Sequence, residues 1–299
     1  MLSPICLFTY NRLSETIQTV EALQKNELAV ESDIFIFSDG PKNEKDAPFV
    51  NDVRQYLKTI NGFRNITILE SESNKGLAKS IIDGVSYVFT KYEKIIVLED
   101  DLITSPNFLA FCNQALDFYE NSDSIFSISG YTMDLPSLKN YNCDYYIGVR
   151  ASSWGWATWK NRWEKIDWSI KDYCHFKYNL KSNYRFMKGG SDMSYMLWKQ
   201  MNGKIDSWAI RWCYNQFKMK QYTIFPKISK IQSVGFGFSA SNTKNISIFR
   251  THLDITNKMI FNFNNEIIIH NSLLSEFKKK FSLSKRIKNR LKLIFKIYE

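Results

Sequence analysis

Over the first 130 residues, short apolar runs alternate with stretches whose apolar positions recur every three or four residues. Apolar runs at residues 5–8, 34–37, 66–69, 95–98 and 125–128 predict β-strands. Between the third and fourth runs, Leu77, Ile81, Val85, Val88 and Tyr92 fall on one side of a helix. Ser105-Pro106 predicts an N-cap followed by proline at the first helical position, opening a helix to about residue 120. Strands alternating with amphipathic helices specify an α/β fold with a mostly parallel sheet flanked by helices.

Beyond residue 130 the pattern is irregular and aromatic, with five of the eight tryptophans between positions 154 and 168. Trp156, Trp159 and Trp163 are spaced by three and four, which predicts one helical face turned to the core. Trp154, with Ser152, Ser153 and Gly155, suits either the core or the wall of a ligand pocket, where an indole face can stack on a flat ligand ring. Helices are expected at 192–201 and 207–220 and a strand at 222–225. The small and hydroxylic residues of 235–243 suit a lid over a ligand or an ordinary surface loop. Without a repeat or linker, residues 1–130 and 131–250 read as two halves of one unit, with 251–299 as a C-terminal extension.

The chain has 299 residues, 44% apolar and 15% aromatic, enough to bury a core and to exclude disorder. The net charge of +10 suggests a polyanion partner until it is located: nine basic residues and one acid between Lys278 and Glu299 carry eight of those charges. In that tail Leu283, Ile287, Leu291, Ile294, Phe295 and Tyr298 share one helical face and the cations surround it. A basic amphipathic helix over about 278–299 would lie on an anionic membrane surface, or dock on its own domain or a partner subunit. Nucleic acid is not expected, because the cations lack interleaved stacking aromatics. No run of 18 apolar residues occurs and Met1-Leu2-Ser3-Pro4 does not resemble a signal peptide, so the expectation is a cytoplasmic protein, peripheral on the cytosolic face of the membrane. Five separated cysteines without a C-x-x-C predict reduced, mostly buried thiols and no zinc site.

Chemistry concentrates where the predicted strands end. Thr9-Tyr10-Asn11-Arg12 follows the first strand, Ser38-Asp39-Gly40-Pro41 the second, and Glu99-Asp100-Asp101 the fourth. In open α/β sheets ligands sit beyond the carboxyl ends of the strands, so these segments point to one site. Three consecutive carboxylates raise one another's pKa unless a cation compensates, and hard oxygen ligands suit Mg2+ or Mn2+. A solvated acidic turn is the alternative.

Together with Asn74-Lys75-Gly76, these segments resemble the GT-A-fold glycosyltransferases over about residues 3–245. The likeness is to family 2-like bacterial sugar transferases and the N-acetylglucosaminyltransferase I type, whose metal motif is also Glu-Asp-Asp. The resemblance implies that Asp39 accepts a hydrogen bond from a nucleotide base and Arg12 lies beside the nucleotide. It places Lys75, Glu99 and Asp100 around the donor, Asp100 toward the ribose, and makes Asp101 the metal ligand. Taken alone, Arg12 also suits a surface cation and Asp39 an Asp-Gly-Pro turn. Lys204-Ile205-Asp206-Ser207-Trp208 resembles the segment carrying the catalytic base, so Asp206 would take the acceptor proton, or else cap the next helix. Asp192, Asp167 and Glu164 compete for that role, and His252 is a candidate further metal ligand. The implied activity is metal-dependent, inverting transfer from a nucleotide-diphosphate sugar, with UDP the expected nucleotide. The acceptor would be a glycan or a lipid-linked glycan in bacterial surface polysaccharide synthesis. A carbohydrate-binding or scaffold protein that kept the fold without turnover is the other reading.

Overall fold

Ile5-Cys6-Leu7 and Ile95-Ile96-Val97-Leu98 are wholly buried. Continuous apolar runs of this kind belong to strands covered on both faces. The computed structural model describes residues 1–234, 249, 251–285 and 287. The first half runs β1 (Ile5–Thr9), α1 (Leu13–Gln24), β2 (Asp33–Ser38), α2 (Ala47–Leu57), β3 (Asn65–Glu70), α3 (Leu77–Val88), β4 (Lys94–Glu99), β5 (Leu102–Thr104), α4 (Phe108–Phe118) and β6 (Ile125–Ser129). The second continues with β7 (Tyr145–Gly148), β8 (Trp156–Trp159), α5 (Lys160–Trp163), α6 (Tyr173–Tyr178), α7 (Leu180–Phe186), α8 (Met193–Met201), α9 (Trp208–Met219), β9 (Tyr222–Pro226), β10 (Ile231–Ser233) and α10 (Asn271–Lys280).

Among the described residues, eight strands form one sheet in the order β3-β2-β1-β4-β8-β6-β9-β7, and β5 and β10 make a small antiparallel pair. β3, β2, β1 and β4 are parallel, β8 runs antiparallel to both β4 and β6, and β9 returns parallel to β6. The chain moves outward from β1 through β2 to β3 and then crosses back to place β4 on the other side of β1. The crevice between β1 and β4 is therefore a topological switch point, where the loops leaving the two strands diverge and leave room for a ligand.

Side chains alternate between two cores. Ile96 and Leu98 of β4 join the core under α1, α2 and α4, whereas Ile95 and Val97 join the one under α3, α8 and α9. Each such fully buried aliphatic side chain contributes about 1.5–3 kcal/mol to folding. The tryptophan cluster corrects the helical expectation. Residues 156–159 form β8, which sends Trp156 into the second core and Trp159 into the first, where its indole nitrogen donates to the Leu116 carbonyl at 3.0 Å. Trp163 returns on α5 to stack on Trp156 with ring centres 5.8 Å apart. All three are core residues, but a strand between two covered faces positions them rather than a helix.

Three further boundaries differ from expectation. α4 starts at Phe108, because Ser105 Oγ donates to Asn107 Oδ1 and the Ser105 carbonyl accepts from the Phe108 N–H at 3.1 Å, closing a turn before the helix. α3 ends at Val88, and Tyr92 instead donates its hydroxyl to Asp33 at 2.7 Å. The C-terminal helix begins earlier, at Asn271, and α10 docks on the domain through buried Leu273 and through Glu276, which accepts from the Ser137 N–H and hydroxyl. Leu283–Lys285 and Ile287 are also helical; position 286 and positions 288–299, with most of the expected tail helix, lie outside the described residues. Cys6, Cys112 and Cys213 are buried thiols, and Cys143 and Cys174 are exposed.

Candidate active site

The tips of β1, β2 and β3 are tied together before any side chain is considered. The Asp39 N–H donates to the Thr9 carbonyl at 3.0 Å and the Ser71 N–H to the Ser38 carbonyl at 2.9 Å. Asp39 then organises the loop before α3. One carboxylate oxygen accepts from the N–H groups of Gly40 and Lys75 at 2.9 and 2.8 Å, and the other from the Asn74 amide and the Gly76 N–H at 3.0 Å each. A carboxylate presents about four lone-pair sites, so all of them are engaged. Asp39 is thus the clamp of the Asn74-Lys75-Gly76 loop, and a base reaching it would share or displace one of these donors. The clamp requires a close approach: a Cβ on Gly40 would lie 2.5 Å from the Ser73 carbonyl carbon. Lys75, anchored by its backbone, leaves its side chain exposed beside the crevice. Arg54 staples the same tips from below, donating to the Ser38 hydroxyl at 3.2 Å and the Ser71 carbonyl at 2.7 Å.

Across the switch point, Glu99 ends β4 level with Phe8 of β1. Asp100 is buried, and accepts from the Tyr10 N–H at 3.2 Å. Arg12, whose carbonyl starts α1 by accepting from Thr16, turns its guanidinium onto the acidic tip, pairing with Asp100 and, at 3.1 Å, with Asp101. Burial alone would lower the Arg12 pKa, but the charges of Asp100 and Asp101 and the hydrogen bonds to both outweigh it and raise it. Burial pushes Asp100 up and Arg12 pulls it back. Glu99 accepts no hydrogen bond from the described residues, and burial, with Asp101 and Asp100 adjacent, pushes it up to about 8 despite Arg12.

Among the described residues, no three His, Cys, Asp or Glu side chains converge on a point able to hold a metal ion. A cation shared with a diphosphate needs fewer, because Mg2+-type ions commonly take one or two carboxylates and complete their shell with phosphate and water. The donor set fits that case. The Asp101 side chain is 20% exposed at the strand tip, with one oxygen on Arg12, and the tip already recruits a cation from within the chain.

The second half of the chain closes on the same edge. Trp156 pairs with Val97, so Gly155 and Trp154 run along the end of β4. Trp154 packs on Tyr131 and Phe249 at 4.6 and 5.2 Å between ring centres, an aromatic cluster at the crevice rim. The Val234 N–H donates to the Asp101 carbonyl at 2.9 Å, so the strand preceding the glycine-rich segment reaches the acidic tip; residues 235–243 lie outside the described residues.

Among the base candidates, Asp206 precedes α9, whose first residue Trp208 packs on Trp156 with ring centres 5.2 Å apart. The cap of α9 is Ser207, which accepts from the Ile210 N–H at 3.3 Å; Asp206 is 68% exposed and, among the described residues, pairs with Arg211 at 3.2 Å. Asp192, at the start of α8, gives both oxygens to Arg150 at 3.0 Å. Asp167 is used up within its own turn, accepting from the N–H groups of Ser169, Ile170 and Lys171. Glu164 follows α5 beyond the opposite end of β8, where Trp159 pairs with Lys94 at the start of β4. His252 is exposed. Sequence reasoning missed Arg54 and Arg150, whose partners come from distant strands and loops and leave no local signal.

A mostly parallel sheet with acidic strand tips at its switch point and a second half closing on the same edge is a GT-A architecture. The sequence profile described as Glycosyl transferase family 2 matches residues 5–241, and the chain belongs to that family. No protein of curated function matches it in sequence. Among solved structures it is similar to S. aureus TarS 1–349, at 10% identity and a TM-score of 0.45, covering 79% of this chain and 61% of that one. Against a longer TarS chain it is 15% identical with a TM-score of 0.32, over 43% of this chain and 21% of that chain. The mannosyltransferase PcManGT from Pyrobaculum calidifontis, in complex with GDP-Man and Mn2+, is 8% identical, with a TM-score of 0.42 over 73% and 70% of the two chains.

Proposed function

We propose that the chain is a metal-dependent, inverting glycosyltransferase that moves a sugar from a nucleotide-diphosphate donor, with UDP as the nucleotide, to a glycan or lipid-linked acceptor of a bacterial surface polysaccharide. The observation that carries the reading is the gathering of Arg12, the Asp39-clamped loop and Glu99-Asp100-Asp101 at one switch point. Asp39 shapes the base pocket through the loop it holds, the exposed Lys75 side chain supplies positive charge for the diphosphate, and Arg12 lies beside the nucleotide while neutralising Asp100 and Asp101. Asp100, buried on Arg12 and the Tyr10 N–H, is assigned to the ribose side in this reading. Asp101 would hold Mn2+ or Mg2+, which when bound stabilises the departing diphosphate as a Lewis acid. Glu99, which accepts no hydrogen bond from the described residues, is suited to hydrogen-bond a sugar hydroxyl.

Asp206 is the proposed base: it is exposed and paired with Arg211 on the surface, which supports a role in taking the acceptor proton as the hydroxyl oxygen attacks the anomeric carbon. Asp192 is the second candidate, and both its oxygens are held by Arg150, a pair that leaves no room for a Cβ on Gly190 (φ +144°). No helix among the described residues is long and apolar enough to cross a membrane, and in this reading the basic tail attaches the enzyme to the anionic surface bearing its acceptor. The test is donor turnover with Mn2+ and with a chelator. Activity that survives metal removal, or survives Asp101→Asn, contradicts the assignment. A chain that binds sugar but consumes no nucleotide sugar would be the non-catalytic protein.

A further inference from the structure

Three large apolar side chains within seven residues stand in solvent on α6 and α7: Tyr178 is 77% exposed, Leu180 83% and Tyr184 62%. Scattered apolar exposure is ordinary, but a cluster of this kind marks a contact surface. Lys177, Lys181, Arg185 and Lys188 are exposed among them, and no acid occurs between Tyr173 and Gly190. The flanking acids are already engaged: Asp172 accepts from Tyr214 and pairs with Lys218 at 3.0 Å, and Asp192 is held by Arg150. Within α6 and α7 the positive charge therefore meets no acid of the same segment, and toward α10 Asp134 and Glu276 act on Lys280.

The arrangement is rigid. Phe186 of α7 is buried in the second core, which turns Leu180 and Tyr184, four residues apart, outward together. The Lys177 ammonium lies 5.1 Å from the centre of the Tyr178 ring. From a segment about ninety residues further on, the Lys278 ammonium of α10 lies 5.7 Å from the centre of the Tyr184 ring. The chain then continues with Lys279, Lys280 and two more exposed aliphatics, Leu283 and Ile287. Two remote parts of the sequence thus build one continuous face of the same composition.

We propose that this α6–α7 face, joined to the end of α10, is a docking surface for anionic lipid headgroups. It rests on the membrane reading of the tail given above and adds to it a second, folded contact. Tyrosine suits the headgroup region, where an apolar ring meets a polar hydroxyl, and the interleaved lysines and arginines meet lipid phosphates. A surface of aromatics, aliphatics and cations, with no acid on α6 or α7, complements a negatively charged interface.

The test uses the full chain in flotation with phosphatidylcholine vesicles, with and without phosphatidylglycerol. The wild type is expected to bind only the anionic vesicles, and the combined Tyr178→Ala, Leu180→Ala and Tyr184→Ala variant to bind them at least about ten-fold more weakly. These side chains are exposed, so the melting temperature and binding of nucleoside diphosphate should be unchanged. A wild type indifferent to phosphatidylglycerol overturns the proposal, as does a triple variant that binds like wild type. A concentration-dependent dimer that the triple variant dissolves assigns the face to a second copy and also overturns it. A chain shortened after Ile287 separates the two membrane contacts: if the shortening abolishes binding and the triple substitution does not, the tail reading stands and this one falls. Absence of donor turnover would remove the glycosyltransferase reading without changing the vesicle result.

Discussion

Replacing Arg12 by methionine removes the cation that the chain supplies to its own acidic tip. Arg12 pairs with Asp100 and Asp101, whose side chains are 4% and 20% exposed, while its own is 22% exposed. Without it, Asp100 keeps, among the described residues, the Tyr10 N–H as its donor, and three adjacent carboxylates lie together. Breaking a buried pair costs about 3–5 kcal/mol; because water reaches one side of this one, about 2–3 kcal/mol is expected. For a chain of this size that is a fall in melting temperature on the order of 3–5 °C. The same deletion frees Asp101 for an external cation, which stabilises in proportion to the logarithm of its saturation. Mn2+ should therefore raise the melting temperature of Arg12→Met more than that of the wild type. Adding Asp101→Asn should cancel the gain. Thermal melts of the three proteins with and without Mn2+ decide the matter: equal metal shifts in wild type and Arg12→Met, or a variant as stable as wild type, would refute the reasoning.

Gly40→Ala would place a Cβ 2.5 Å from backbone that cannot rotate away, moving the Asp39-clamped loop by about 1 Å at a cost of about 1–3 kcal/mol. Donor affinity should fall by on the order of ten- to a hundred-fold, measured by calorimetry, while the far side of the sheet is unaffected. Asp206→Asn should lower kcat about 10²–10⁴-fold with donor affinity unchanged; if Asp192→Asn does this instead, the base is Asp192. Asp33, at the opposite end of β2, is held well below the usual carboxylate range by hydrogen bonds from Arg64, Tyr92 and Asn65, against a smaller upward push from burial. Its contribution is present above the unfolded pKa of about 3.9 and is lost as pH falls through the lower folded value. Asp33→Asn should thus cost about 1–2 kcal/mol in urea unfolding at neutral pH, allowing for the exposed Arg64, and progressively less in acid.

The strands of the first half were legible because a strand buried on both faces must be continuously apolar, as at Ile95–Leu98. The same property hid β8. With both faces covered, Trp156 and Trp159 show no alternation, and their spacing to Trp163 imitates a helix. The helix period of α3 continues to Tyr92, but the Asp33 carboxylate draws that side chain away. At the site, strand tips ending in polar residues were enough to locate the crevice. The division of labour within it was less visible. Asp39 and Asn74–Gly76 are more than thirty residues apart, and Arg12 and Asp100 eighty-eight, so neither the clamp nor the internal cation leaves a local pattern. The basic run after Lys278 drew attention from α10, whose apolar face is set by Leu273, Phe277 and a single buried-side acid, Glu276.

Titration of UDP into the protein with Mn2+, with a chelator, and with Asp101→Asn addresses the central claim most directly. The account predicts heat of binding with Mn2+, its loss on chelation, and at least about a ten-fold weaker dissociation constant in the variant. Binding of equal strength under all three conditions would contradict it.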